Sequence, residues 1–404
     1  MIIKTRWTLL LLFAILFYLH SNSQNTSTTS QHLEAITKYG HEPLSFVNDI
    51  LTKHDLVIFD DALHHAYGPF ELYRQLILNK EFREKAQYVF LEVFGITSQP
   101  HIDNYLKAPV KDSTLLLKVF QDNFSGYGWR YETYLDLLAT VWEVNHELPE
   151  DKKLKVIAVD QPIYWESIHT RQDYDLFQES LIGRDYFMYK KITSVLNDFT
   201  NGRKGIFLTN TRHAYKNIKN ADGHLYWNTA TFFNYLHPGK TYSARIHNAA
   251  LYIEKLKHEG KSKTSEGLDR VSYKWVRMEK GQWDKAFKEN GNKPVALPLK
   301  NNAFGSAPYI GNHMLNVMKD QSMQDAYDAL IFLAPLEQLH TSASIDFIYT
   351  DAFKDELKRR ILLLNNGDIT NLLQQANASS LDQYINIITA YKPMQRSTIV
   401  LQDY

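Results

Sequence analysis

An α/β fold, a mainly parallel central sheet flanked by many helices, is what this sequence predicts, and three observations lead there. Six short runs, Leu56–Phe59, Tyr88–Leu91, Leu154–Val159, Gly205–Thr209, Thr241–Ile246 and Ala329–Leu333, are nearly continuous in apolar, β-branched or aromatic residues, the pattern of strands covered on both faces. Helix-like stretches alternate with them, as in layered α/β proteins. With 404 residues and 44% hydrophobic content, the chain can bury a large core.

Along the chain, Lys4 and Arg6 precede an apolar run from Thr8 to Leu19, and polar sequence follows from His20. The run is too short for a comfortable membrane span and suits an export signal over residues 1–24; an uncleaved anchor is the alternative. The expectation is an exported protein, periplasmic or extracellular and soluble after cleavage near Ser23 or Gln24. Residues 25–40 read as a flexible, polar lead-in, and 41–404 as a single domain. Pro69–Asn79 is a helix with proline in its first turn. Tyr131–His146 repeats its apolar residues at helical spacing through Tyr134, Leu135, Leu138, Val141 and Trp142. A further helical stretch runs from Asp173 to Phe199. Lys255–Asn292 is rich in Lys, Glu and Gly and reads as a charged surface excursion. Asp351–Leu364 and Leu381–Tyr391 predict a helical C-terminal end, and no internal repeat is present.

Composition excludes several classes. Forty-five basic residues balance forty-five acidic ones, so no overall field favours nucleic acid; a small-molecule partner fits better. The absence of cysteine removes disulfides and thiolate ligands. A phosphate-cradling glycine loop, a Gly-x-Ser-x-Gly elbow and a dinucleotide fingerprint are also missing.

Chemistry-bearing residues fall where the strands stop: Asp60 and Asp61 with His64, Glu92, Asp160, Arg212 with His213, and His247. Parallel strands would present all of them at one rim, where open α/β sheets place their crevices. There His64, held by Asp61 or Glu92, suits a general base, because a carboxylate fixes the imidazole tautomer and raises its proton affinity. His213 could stabilise an oxyanion or protonate a leaving group. The plain structural reading has Asp61 capping the next helix, His64 in a turn and Asp160 ending its strand. Two histidines and two carboxylates would also satisfy zinc, manganese or iron. Without a His-x-x-x-His pair on a helix, metal-free acid–base chemistry ranks first.

A family resemblance rests on ordered residues over most of the chain. Asp60-Asp61-Ala62-Leu63-His64-His65 stands where a Gly-Glu-Ala-x-His-Gly signature would end the first strand. Phe70-Glu71-Leu72 and Leu76-Ile77 match the helix after it, and Leu91-Glu92 the second strand end. Trp129, Glu132, Leu135, Trp142 and Asn145 match a tryptophan-led helix. Val156–Asp160, Thr209–His213, Phe233–Ile246 and Tyr327–Phe332 follow in order. In these features the chain resembles the erythromycin esterase family, of the EreA/ChaN-like superfamily that also includes Tiki and TraB-like proteins. The resemblance implies that His64 activates water, with Glu92 and His213 completing the site. It also marks departures: Asp61 replaces a glutamate, Asp60 and His65 replace glycines, and Tyr73, beside Arg74, replaces an arginine. Asp60, His65, Tyr73, Arg74, Asp160 and Arg212 are the candidates for substrate contact. The expected function is an exported hydrolase attacking an ester or related acyl bond, needing no cofactor. The alternative is a ChaN-like protein that binds haem or a divalent metal, or a catalytically degenerate member.

Overall fold

A computed structural model describes residues 28–255, 271–311 and 317–402. The export signal and its cleavage site lie outside the described residues. Seven strands form the central sheet: β1 (Leu56–Asp60), β2 (Tyr88–Gly95), β3 (Lys155–Asp160), β4 (Gly205–Thr209), β5 (Thr241–Ile246), β8 (Val295–Pro298) and β9 (Ala329–Phe332), in the order β3-β2-β4-β1-β5-β9-β8. β6 (Ala250–Lys255) and β7 (Val271–Val276) form a separate antiparallel hairpin. All neighbours in the large sheet run parallel except β8 against β9. The expected fold class is therefore the observed one.

All six predicted runs are strands, Gly205–Thr209 and Thr241–Ile246 with the predicted ends and the other four with ends shifted by one to four residues. β1 takes in Asp60, and β2 continues to Gly95, so Glu92 lies within its strand. Burial on both faces explains their continuous apolar character. Val57 and Phe59 of β1 pack into one core with Phe70, Tyr73, Tyr134 and Leu138. Leu56 and Ile58 pack into the other with Tyr189, Ile192, Phe233 and Trp283. Gly205 opens β4 beside β2 so closely that a Cβ there would lie 2.5 Å from the Tyr88 carbonyl oxygen.

Three expectations are corrected. Residues 28–39 are a helix rather than a flexible lead-in, because Ala35 and Ile36 are buried and the fully buried His32 packs edge-on to Phe304. The stretch 173–199 is not one helix. It breaks at a 3₁₀ turn, Leu181–Gly183, between helices Arg171–Ser180 and Arg184–Val195. The excursion at 255–292 holds β7 and a helix, Gln282–Glu289, whose Trp283, Ala286 and Phe287 form a buried stripe; its Lys261–Gly267 portion lies outside the described residues. Among the described residues no helix is long and apolar enough to cross a membrane.

β1 is where the strand order turns, with β2, β3 and β4 on one side and β5, β9 and β8 on the other. Asp60 pairs in register with Thr209 of β4 and Arg245 of β5. The carboxyl ends of three central strands thus stop at one level, the usual position of a ligand crevice.

Candidate functional site

The turn after β1 brings an imidazole back over these strand ends. Asp60 accepts the Ala62 N–H at 2.8 Å, and the Asp61 N–H donates to the Thr209 carbonyl at 3.0 Å. Ala62 adopts φ 58°, a left-handed conformation costing a Cβ-bearing residue ~1–2 kcal/mol. The following Leu63–Ala66 turn, closed by a 2.8 Å backbone bond, places His64 between two acids. Its Nδ1 lies 3.3 Å from Asp61 Oδ2 and its Nε2 3.1 Å from Glu92 Oε2. Tyr134 Oη is 3.2 Å from Nδ1, Asn210 Nδ2 is 2.8 Å from Nε2, and Trp129 meets the ring edge-on.

Both acids are almost fully buried, while the His64 side chain stays 17% exposed. Burial alone would push the imidazole towards its neutral form. Glu92 first and Asp61 second outweigh it and raise the pKa of His64 to about 10. Asp61 is pushed up to about 6, by burial above all, against the pull of His64. Burial works the same way on Glu92, but His64, Arg184 and His213 together hold it well below the carboxylate range. The resting pair is consequently an imidazolium on a carboxylate. Asn210 serves the other protonation state. As the cap of the short helix Thr211–Ala214 its Oδ1 accepts the Arg212 N–H at 3.0 Å, so its amide nitrogen faces Nε2 and can donate to the lone pair of a neutral ring.

A second layer anchors Glu92. Arg184, at the start of its helix, donates to Glu92 and grips Asp160 with Nε at 2.7 Å and Nη2 at 2.8 Å. His213 Nε2 lies 3.3 Å from Arg184 and 3.5 Å from Glu92. Its Nδ1 is 2.7 Å from Asp185, which also accepts both the N–H and the hydroxyl of Thr229 at 2.7 Å. Pairing of β2 with β3 is interrupted between Leu91 and Gly95, and irregularities of this kind re-aim side chains.

A cleft of about 280 Å³ opens above His64, with His65, Trp129, Tyr131, Arg212 and Trp275 in its walls. Of the residues expected at the site, Asp61, His64, Glu92 and His213 converge, with His213 on the far side of Glu92. His65 and Arg212 line the cleft. The other four do not. Asp60 is fully buried and bonded to Tyr327, Thr211 and Ala62. Tyr73 is fully buried against Phe59 and Phe70. Arg74 turns to Glu71 and Thr140, and Asp160 is sealed beneath Arg184. Sequence reasoning missed Arg184, Asp185, Asn210 and Tyr134. Charge accounting was the available signal for Arg184, since four acids gathered at one rim demand a buried cation.

The same cation bears on metal binding. Glu92 and Asp160, the best oxygen donors here, already share a guanidinium, so a divalent ion would have to displace Arg184. The donor set does not fit a resident metal.

No protein-family model and no curated protein sequence matches this chain. Solved structures do match its fold. A Bacillus cereus protein aligns over 78% of this chain and 98% of its own at 13% identity and a TM-score of 0.50. A succinoglycan biosynthesis protein aligns over 79% and 98% at 10% identity and a TM-score of 0.51. These two establish a shared fold. An erythromycin esterase variant in its open conformation aligns over 71% and 92% at 10% identity and a TM-score of 0.46.

Proposed function

We propose that the cleft is a hydrolytic site for an ester or related acyl bond, in which His64 takes a proton from water. One observation supports this above the others: a partly exposed imidazole at a cleft floor, with a buried carboxylate facing each ring nitrogen. Asp61 holds Nδ1–H and so presents Nε2 as the basic atom. Glu92 stabilises the imidazolium that forms once the proton is taken, and Arg184 and His213 keep Glu92 ionised and in place. Arg212, in the cleft wall, is the group suited to a developing oxyanion. His213 acts through Glu92 rather than on substrate.

The proton affinity of His64 sets the pH dependence. At neutral pH the ring is mostly protonated, so the base form, and with it the rate, increases towards about pH 10. Turnover of a panel of aryl and alkyl esters by the purified chain, with the pH–rate profile, tests this. Loss of turnover in His64→Ala with the fold retained supports it. Unchanged turnover in that variant, or a profile that falls above pH 7, sinks it. Export belongs to the same proposal, and secretion of the full chain with loss of residues 1–24 checks it.

A further inference from the structure

We infer that the cleft selects an organic anion, a carboxylate or phosphate joined to an apolar or aromatic body, with Arg245 and Arg212 as the recognition pair; this rests on reading the cleft as the substrate site. The basic side chains in the cleft wall, among the described residues, are His64, His65, Arg212 and Arg245, and no carboxylate lines it. Trp129, Tyr131 and Trp275 supply apolar walls. The acids nearby, Asp60, Asp61 and Glu92, are buried behind this surface. A ligand in the cleft therefore meets cations and rings first, and carboxylates only through them.

Arg245 shows that this surface is built. It is the penultimate residue of β5, the strand beside β1, and is 1% exposed, so its charge is held out of water at considerable cost. Its ion pair is long. Its nearest acid, Asp60 Oδ2, is 3.9 Å from Nη1 and already accepts the Tyr327 hydroxyl at 2.6 Å. Nη1 reaches the Ile310 carbonyl at 3.3 Å, and Nε has no hydrogen-bond partner among the described residues. The guanidinium is held over the Tyr327 ring at 5.6 Å. Gly311, at φ 122°, passes so near that a Cβ would come within 2.6 Å of Nη2; glycine leaves the guanidinium room. A buried, fixed cation that lines the cleft, with its acid 3.9 Å away and Nε without a hydrogen-bond partner among the described residues, is arranged to receive an oxyanion, for which guanidinium geometry is well matched. Arg212, exposed in the cleft wall and in no ion pair among the described residues, adds a second positive group. The volume, about 280 Å³, sits at the small end of ligand pockets.

The test is calorimetric titration of the full chain with 1-naphthoate, 1-naphthyl phosphate and the neutral 1-naphthamide, which share one ring system. At least one anion should bind about tenfold or more tightly than the amide, as charge-assisted hydrogen bonds would give. Which anion binds tighter tells carboxylate from phosphate recognition. Arg212→Ala should weaken the anion about tenfold and leave the amide unchanged. Arg245→Lys keeps the buried charge and loses the fork, so it should weaken the anion as well; where this variant fails to fold, Arg212→Ala decides. Equal binding of anion and amide, or anion binding indifferent to Arg212→Ala, overturns the inference. Hydrolysis is not read in this experiment. Anion selectivity without ester turnover would defeat the hydrolase reading alone, and turnover of neutral esters without anion selectivity would defeat this one alone.

Discussion

Two histidines follow parallel strands and face an acid at nearly the same distance, yet of the two only His64 lines a cleft. His64, after β1, is 3.3 Å from Asp61; His247, after β5, is 3.2 Å from Asp284. His247 is closed in, its side chain wholly buried against Phe287, Phe332 and Trp283. His64 has a second carboxylate, Glu92, on its other nitrogen, and a cleft above it. An acid partner on one ring nitrogen is thus not by itself the mark of a site. On the proposed reading, capacity for chemistry comes from the second acid, which stabilises the charged ring, together with an opening through which a reactant reaches it.

The sharpest way to break the comparison is to remove each ring in turn. His64→Ala should lower turnover of any hydrolysed ester by about 10²–10⁴-fold, the range for a general base. His247→Ala should leave turnover within a few-fold and instead reduce stability by ~1–3 kcal/mol, since it strips a partner from Asp284. Denaturant melts and steady-state rates of both variants read the contrast. Equal loss of turnover in the two would erase the distinction.

The cations behind the two rings differ in the same sense. Arg184 is 11% exposed and neutralises two nearly sealed acids, whereas Arg277, which pairs with Asp284 and Glu337, is 33% exposed. Arg184→Met should cost ~3–5 kcal/mol, the usual penalty for leaving buried charge uncompensated. Arg277→Met should cost no more than ~1 kcal/mol. Comparable midpoints for the two variants in a urea melt would show that Glu92 and Asp160 find another partner.

A smaller effect follows from proton linkage. The His64 pKa is raised from its ordinary value to about 10 in the folded chain. Its contribution to stability is therefore complete below the unfolded value of ~6.5 and is lost as pH rises through about 10. Between those limits the folded state holds the extra proton, and the slope is at most ~1.4 kcal/mol per pH unit. Stability measured from pH 7 to pH 10 should fall, and His64→Gln should flatten the fall. The same series on His247→Ala should keep the wild-type slope.

How much of this was legible in the sequence depended on the range of the interaction. The six central strands could be read because burial on both faces leaves a local trace, a continuous apolar run. β8 is only Val-Ala-Leu-Pro, too short to stand out, and β7 mixes Lys274 with Tyr273 and Trp275 beside a lysine-rich stretch. His64, Asp61 and Glu92 were visible as strand-end residues. Their convergence is set by the parallel registers of β1 and β2 on either side of β4, which no local pattern encodes. Arg184 was hidden for the same reason. It begins a helix more than ninety positions beyond Glu92, and nothing in its neighbours announces two buried acids.

Asn210 gives the finest test of why His64 differs from His247. Its Oδ1 caps a helix and its amide faces Nε2, so Asn210→Asp exchanges the group facing the ring while keeping an acceptor for the Arg212 N–H. Asp caps about as well as Asn, so the helix start should lose only a few tenths of a kcal/mol. The new carboxylate oxygen would lie where an N–H donor now faces the ring, adding a third negative neighbour to a ring that already has two. Proton affinity at His64 should therefore rise further, and the alkaline limb of any pH–rate profile should move up with it. Ring-proton chemical shifts of His64 across pH 7 to pH 11 would measure the change directly. An unchanged or lowered midpoint would mean that Asn210 does not discriminate between the two protonation states, and that Glu92 and Asp61 alone set the proton affinity of the ring.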